Sequence, residues 1–469
     1  MREGAQLIAY ADRFGGSLAG LARLLDGPLH GLFDGVHALP FYLPYDGADA
    51  GFDPVDHLAV DPRLGGWEDL RALGRSRDLV ADLIVNHVSD RSTAFRDVVD
   101  HGDRSAAAGM FLTYDRVFPD GATEADLLRI VRPRPGLPFT PVVLGDRPRL
   151  AWTTFTRHQI DLDVHHPAAR RYLTAVLRHL ADCGVTTVRL DAVGYTVKTP
   201  GTSCFLTAET FAFIDELTAE AHALGLAVLA EVHAPYRYAV DTAAHVDRVY
   251  DFVLAPLILH AVLTGDGRPL RAWLAQRPAN TVTVLDTHDG IGLIDAGPGP
   301  TGDGYLTPAQ IEALVEAVEV HSGHTSRVGR VPTGAAYQIS CTAYDALGRD
   351  DRRYLLARLL QLFTPGIPQI SYVGLLAGHN VPVPGVADAR AINRRRYTPA
   401  EVDAALARPV VRELTRLIRL RNEHPAFRGT LTVADGPADT LTMAWHAGAA
   451  HAELHVHLGE GTHHLAHSP

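Results

Sequence analysis

The 469-residue sequence is 46% hydrophobic, enough for a large core with one or two smaller modules. Acidic residues outnumber basic ones by 54 to 43, for a net charge of −11, and without a long basic run this excludes nucleic-acid binding as a main role. No stretch reaches the about 18 uninterrupted apolar residues of a membrane span, MREGAQLIAYADRFGG shows no leader pattern, and Cys183, Cys204 and Cys341 are too few for a disulfide framework. These features predict a cytoplasmic globular protein with a small-molecule partner.

Strand-like runs occur at 6–10, 35–40, 79–87, 185–191, 226–232, 246–254, 281–287 and 367–374. Helix-like segments separate most of them. HPAARRYLTAVLRHLADCG carries Pro167 in its first turn, and TAETFAFIDELTAEAHALG has apolar residues at helical spacing. Eight alternating units predict an α/β fold built on a (β/α)8 TIM barrel. An open doubly wound sheet would want a Gly-rich turn after its first strand, and none is present.

Two intervals are too long for ordinary connections. The predicted organisation is a barrel over 1–87, 166–290 and 349–428, an inserted domain over 88–165 after strand three, and a second over 291–348 after strand seven. The second opens with GPGPTGDG and continues into a helix capped at Thr307, and another capped start is at Thr398. From 429 to 469, short alternating pieces predict a small antiparallel β domain.

Three strand ends carry acids: Asp191 in VTTVRLDAVGY, Glu231 in LAVLAEVHAPY and Asp289 in TVTVLDTHDGIG. A barrel places its catalytic groups at such ends. Two carboxyl groups facing one glycosidic bond suffice to cleave it, and a third can stabilise the cationic transition state. Arg189 lies two residues before Asp191, so both side chains share a face and the guanidinium is expected to keep Asp191 ionised. Apolar Ala230 and Val232 flank Glu231, whose burial is expected to hold a proton on it.

Together with DLIVNH (82–87) and DGADAGFDPVDH (46–57), RLDAVGY, EVH and TVLDTHDGIG resemble the motifs of glycoside hydrolase family 13, the α-amylase superfamily. Within it, RPRPGLPFT, QIDLD (159–163), TSCF (202–205) and VYDFVLAPLILHA resemble the sucrose phosphorylases and related α-glucoside phosphorylases. The resemblance implies Asp191 as nucleophile, Glu231 as acid/base and Asp289 as transition-state stabiliser. It also implies Asp49, Phe52, His87, Phe155, Gln159, Arg189, His288 and Arg390 around a glucosyl ring. The implied reaction converts sucrose and phosphate to α-glucose 1-phosphate and fructose, with phosphate as co-substrate, no cofactor, no metal, and a monomer or homodimer.

Phosphate must compete with water, which calls for cations and donors on the acceptor side. Arg134, Tyr195, His233, Tyr337 and Gln338 are the candidates. One departure falls there: the family's Asn-Leu-Asp-Leu-Tyr-Gln string is replaced by Pro-Thr-Gly-Ala-Ala-Tyr-Gln at 332–338, with Ala335 in place of the acid. Its loss bears on the leaving group, so glucosylglycerol, sucrose 6′-phosphate and glucosylglycerate remain alternative substrates, as do sucrose hydrolysis and transglucosylation. The run Arg394 to Arg396 reads as surface. A metal-dependent barrel hydrolase using His87, Glu231, His233, His288 and Asp289 is a remote rival, because the first strand lacks a closely spaced histidine pair. An inert scaffold conflicts with the presence of all three acids. His451, His455, His457, His463, His464 and His467 read as polar positions of the terminal sheet and tail.

Overall fold

The computed structural model describes residues 2–46, 49–299, 302–381 and 389–469. Positions 47 and 48 of DGADAGFDP and 300 and 301 of GPGPTGDG lie outside them. Eight parallel strands close into a barrel: β1 (Gln6–Ala9), β2 (Gly35–Ala38), β3 (Asp78–Ile84), β4 (Thr187–Asp191), β5 (Ala227–Ala230), β6 (Arg248–Asp251), β7 (Thr281–Thr283) and β8 (Ile367–Ser371). Each pairs with its neighbours in sequence, and β1 closes on β8 with Gln6 opposite Gln369. All eight lie within the predicted runs or one residue beyond. All but β4 stop short of the predicted carboxyl end, where the chain leaves the ladder to present side chains. After Thr283, for example, Asp286 turns aside to accept from Arg358 Nη2 at 2.6 Å and from the Ala343 amide at 3.2 Å.

The helices obey their local signals. Pro167 opens Pro167–Asp182, where a missing N–H costs nothing, and Thr207 caps Ala208–Ala223. At Thr307 and Thr398 complete capping boxes form with Gln310 and Glu401.

The residues between β3 and Pro167 include a hairpin (Phe139–Leu144 with Arg147–Trp152) and a two-stranded ladder pairing His87–Ser89 with Gln159–Asp161. Those between β7 and β8 include a three-stranded antiparallel sheet (Ile291–Gly292, Arg327–Arg330 and Ala336–Ser340) and the helix Pro308–His321. Both segments leave from carboxyl ends of barrel strands, which sets them on the face where the acids emerge.

The chain ends in a four-stranded antiparallel sheet, β9 (Thr430–Ala434), β10 (Thr440–Ala447), β11 (Ala450–His457) and β12 (Thr462–His467), in sequential order. Its inner face carries Leu441, Met443, Trp445, Leu454 and Val456, and Trp445 Nε1 donates to the Phe363 carbonyl at 2.8 Å, fastening the sheet to the barrel. The terminal histidines fall on β11, β12 and their edges. All three cysteines are free and buried. Among the described residues no helix is long and apolar enough to cross a membrane.

Candidate active site

On β4 the strand alternation puts Arg189 and Asp191 on one face, toward the barrel axis. Directly after Asp191, Ala192 adopts φ 53°, a left-handed turn that costs a non-glycine residue about 1–2 kcal/mol. That turn aims the Ala192 amide at Glu231, whose Oε2 accepts at 3.3 Å. Glu231 itself follows the last residue of β5.

Arg189 is 1% exposed and serves three carboxylates. Nη1 donates to Asp191 Oδ1 at 3.0 Å and to Asp82 Oδ1, while Nη2 lies 2.6 Å from Glu231 Oε1. The arginine expected to favour the ionised form of Asp191 is thus divided among three acids. Burial, and then the Glu231 charge, push the Asp191 carboxyl well above the usual carboxylate range, because the guanidinium that pulls it down is shared with Asp82 and Glu231. Asp82 stays low despite burial, held by Arg189 and His37.

Asp289 emerges beyond β7. Its Oδ1 accepts from Arg394 Nη2 at 2.8 Å and lies 3.3 Å from Arg390 Nη1. Burial opposes its charge, yet His288, Arg390 and Arg394 hold it far below the usual range. His288 Nε2 sits 3.2 Å from Asp289 Oδ2 without hydrogen-bond alignment, which leaves both ring nitrogens without a bonded partner. The ring stacks on Phe52 at 5.2 Å and 10°.

The residues expected around a glucosyl ring do come together. Asp49 contacts Arg390 and accepts from Gln159 Nε2 at 3.3 Å; the same nitrogen lies 2.9 Å from His87 Nε2, which donates to the Phe52 carbonyl at 2.8 Å. Phe155 packs between His87 at 5.4 Å and Tyr195 at 5.3 Å.

The acceptor candidates divide. His233 stacks on Phe252 at 3.8 Å, meets Asp295 Oδ2 through Nδ1 at 3.3 Å, and leaves Nε2 buried without a partner. Burial lowers its basicity, but the charges of Asp295, Glu231 and Asp289 prevail and raise it. Tyr337 faces the same ring at 6.0 Å. Gln338 commits one of its two N–H donors to the backbone, its Nε2 donating to the Asp289 carbonyl. Arg134 is exposed and its charge reaches the Tyr195 hydroxyl, which burial and Glu231 push up. Ala335 is exposed in the turn before Ala336–Ser340.

Several residues escaped the sequence reading. Arg394 is 4% exposed, so the run 394–396 is not all surface; only Arg395 and Arg396 are, pairing with Glu401 and Asp12. Arg132, two residues before Arg134, anchors the RPRPGLPFT loop by donating to the carbonyls of Thr154 at 3.0 Å and Phe155 at 3.1 Å. Lys198, the sequence's only lysine, is buried against Asp161 Oδ2 at 2.8 Å and Asn86 Oδ1 at 3.0 Å and donates to the Tyr195 carbonyl. Its uniqueness in an arginine-rich chain was a usable signal. Asp82 stands inside the DLIVNH motif, but nothing local pointed it at Arg189.

Stripping a buried ion pair of one partner typically costs about 3–5 kcal/mol. Arg394→Met is therefore expected to lower the melting temperature and to reduce turnover at least about tenfold by loosening Asp289. Steady-state kinetics alongside calorimetry check this; wild-type values in both would refute a role for Arg394 at Asp289.

Among the described residues no group of three or more histidine, cysteine, aspartate or glutamate side chains is arranged to hold a metal ion. What the site offers is a carboxyl pair on one guanidinium, a third carboxylate kept ionised by cations, and a ring of polar and aromatic groups between them.

Comparison with known proteins agrees with this chemistry. Residues 8–222 match the model of the α-amylase catalytic domain. Sucrose phosphorylase of Agrobacterium vitis is 50% identical, with 98% of this chain and 96% of that protein covered. Sucrose phosphorylase of Bifidobacterium adolescentis is 44% identical, with 97% and 92% covered. The crystal structure of sucrose 6F-phosphate phosphorylase from Thermoanaerobacter thermosaccharolyticum superposes with a TM-score of 0.92 at 34% identity, covering 100% of this chain and 96% of that one. With this coverage and identity, the chain belongs to the sucrose phosphorylase group of the α-amylase family.

Proposed function

We propose that the protein is a retaining sucrose phosphorylase that converts sucrose and inorganic phosphate to α-D-glucose 1-phosphate and D-fructose. The observation that carries the reading is the shared guanidinium: Arg189 touches Asp191 and Glu231 at once. Sharing one cation keeps the two carboxyls close, as the about 5–5.5 Å spacing of a retaining pair requires.

In this reading Asp191 attacks the anomeric carbon, Glu231 gives its proton to the glycosidic oxygen, and fructose departs. A β-glucosyl ester on Asp191 remains. A phosphate oxygen then attacks the same carbon, its proton passes to Glu231, and the ester bond breaks to restore Asp191. Two inversions leave the α configuration. Burial and the neighbouring Glu231 charge push the Asp191 carboxyl upward, against the pull of Arg189. Attack needs Asp191 as the carboxylate and the proton on Glu231, and Arg189 touches both groups. Asp289, fixed as an anion, opposes the oxocarbenium charge.

Asp49, Phe52, His87, Phe155, Gln159, His288 and Arg390 hold the glucosyl ring. On the acceptor side, His233 supplies an unpaired Nε2 and Arg134 an exposed cation, with Tyr195 and Tyr337 lining the wall between them. Gln338 works at one remove, by fixing the Asp289 backbone. Phosphate is the co-substrate and no cofactor enters the balance. Three free cysteines fit a reducing cytoplasm.

Ala335 favours a second reading of the leaving group. Ala335 puts no carboxylate at that turn to accept from fructosyl hydroxyls, which opens the acceptor side to a sister phosphorylase's alcohol. The test is phosphate dependence. Sucrose cleavage is expected to release glucose 1-phosphate only when phosphate is present; equal rates of free glucose formation with and without phosphate would overturn phosphorolysis. Run backwards from α-glucose 1-phosphate, a panel of fructose, fructose 6-phosphate, glycerol and glycerate identifies the acceptor.

A further inference from the structure

Barrel interiors are ordinarily filled with branched apolar side chains. Here a connected series of polar groups descends from the carboxyl pair to the opposite end of the barrel. Below Arg189, Asp82 Oδ2 accepts from His37 Nε2 at 2.9 Å, and the Asp82 carbonyl accepts from the Tyr42 hydroxyl at 2.5 Å. The other ring nitrogen of His37 lies 3.4 Å from the Tyr250 hydroxyl, which donates to Gln369 Oε1 at 2.8 Å; Gln369 Nε2 then donates to Gln6 Oε1 at 3.2 Å. His37, Asp82, Gln369 and Gln6 have no exposed surface at all. Five different strands, β1, β2, β3, β6 and β8, contribute to the series. Buried polar groups are costly when unpaired, so a network kept in the centre of a barrel needs a return on its cost.

The return is at Arg189. Asp82 competes with Asp191 and Glu231 for one guanidinium. The His37 N–H on Oδ2 satisfies half of the Asp82 carboxylate and disperses its charge, which leaves more of the cation to the carboxyl pair. The titratable and charged groups facing His37 are Asp82 on β3 and Tyr250 on β6, with Arg189 on β4 one contact further. His37 does not contact the pair itself.

We infer that His37 is a positioning residue, which acts through Asp82 to set how Arg189 is divided between its three carboxylates and hence the ionisation of the catalytic pair. The inference rests on the proposed roles of Asp191 and Glu231. Removing the His37 donor should concentrate charge on Asp82, draw Arg189 toward it, and weaken its hold on Asp191. An Asp191 less supported by cation ionises at higher pH, so the acid limb of kcat/KM moves upward.

Three variants test this on the full chain, with kcat and KM measured from about pH 5 to pH 9 on sucrose with phosphate and on α-glucosyl fluoride. His37→Phe keeps the ring and loses the donor. It is expected to lower kcat about 10- to 100-fold, as loss of an orienting partner does elsewhere, with KM changed less than about threefold and the acid limb raised by at least about half a unit. His37→Gln, whose Nε2 can occupy the donor position, is expected to recover most of both effects; His37→Asn, too short to reach Asp82, is not. A folded His37→Phe with wild-type kcat and pH profile would overturn the inference, and so would Gln and Asn variants that behave alike, a comparison that stands even where the Phe variant does not fold. A wild-type protein that transfers no glucosyl group to any acceptor would instead overturn the reading of the site.

Discussion

Replacing Asp191 by Asn is expected to lower turnover by at least about four orders of magnitude, because a neutral amide oxygen cannot form the glucosyl ester on which both half-reactions depend. The loss should fall on kcat with little change in fold, since Asn preserves the volume and the contact with Arg189 Nη1. Mass spectrometry of the wild type quenched during turnover of α-glucosyl fluoride should show a glucosyl adduct on the peptide containing Asp191, absent from the variant. In Asp191→Ala, the space left beside Arg189 admits azide, and β-glucosyl azide, a product of single inversion, is the expected outcome. More than about a tenth of wild-type turnover in Asp191→Asn would refute the nucleophile.

Glu231→Gln has the next largest effect, and its size depends on the leaving group. Without the proton, departure of fructose should slow by about 10²- to 10⁴-fold, the range of general acid catalysis. Fluoride leaves without protonation, so formation of the glucosyl-enzyme from α-glucosyl fluoride should persist. The pH dependence of that step carries a signed prediction. Burial and the Glu231 charge both raise the Asp191 carboxyl, and neutralising Glu231 removes the second cause. The acid limb for α-glucosyl fluoride should therefore move to lower pH in Glu231→Gln, opposite to its shift in His37→Phe. Equal losses on sucrose and α-glucosyl fluoride, or a limb that moves upward, would refute the proposed division of labour.

The eight strand-like runs, the helix starts at Pro167 and Thr307 and the emergence of Asp191 and Glu231 at strand ends were legible because hydrophobic period, caps and turn residues act over a few positions, whereas Asp289 lies in the loop beyond β7. The pairing of Arg189 with Asp191 was equally local, a consequence of the two-residue repeat of a strand. Strand boundaries were not, since a run such as TVTVLDT stays apolar after the backbone has left the sheet. The run 394–396 misled for a related reason: three consecutive arginines look alike in sequence, while only the fold sends Arg394 inward to Asp289 and its neighbours outward.

The sequence by itself determined the architecture and marked three acids following strand-like runs, because residue type and short-range spacing carry that information, while their resemblance to the α-amylase superfamily motifs implied the bond they address. Tertiary structure alone decided how the charges are shared. Arg189 meets Asp82 across 107 positions and Asp289 meets Arg394 across 105. These contacts depend on which strands lie side by side in the closed barrel and on the burial that strengthens every charge inside it. That burial, with Glu231 beside it, pushes the Asp191 carboxyl upward against the pull of Arg189.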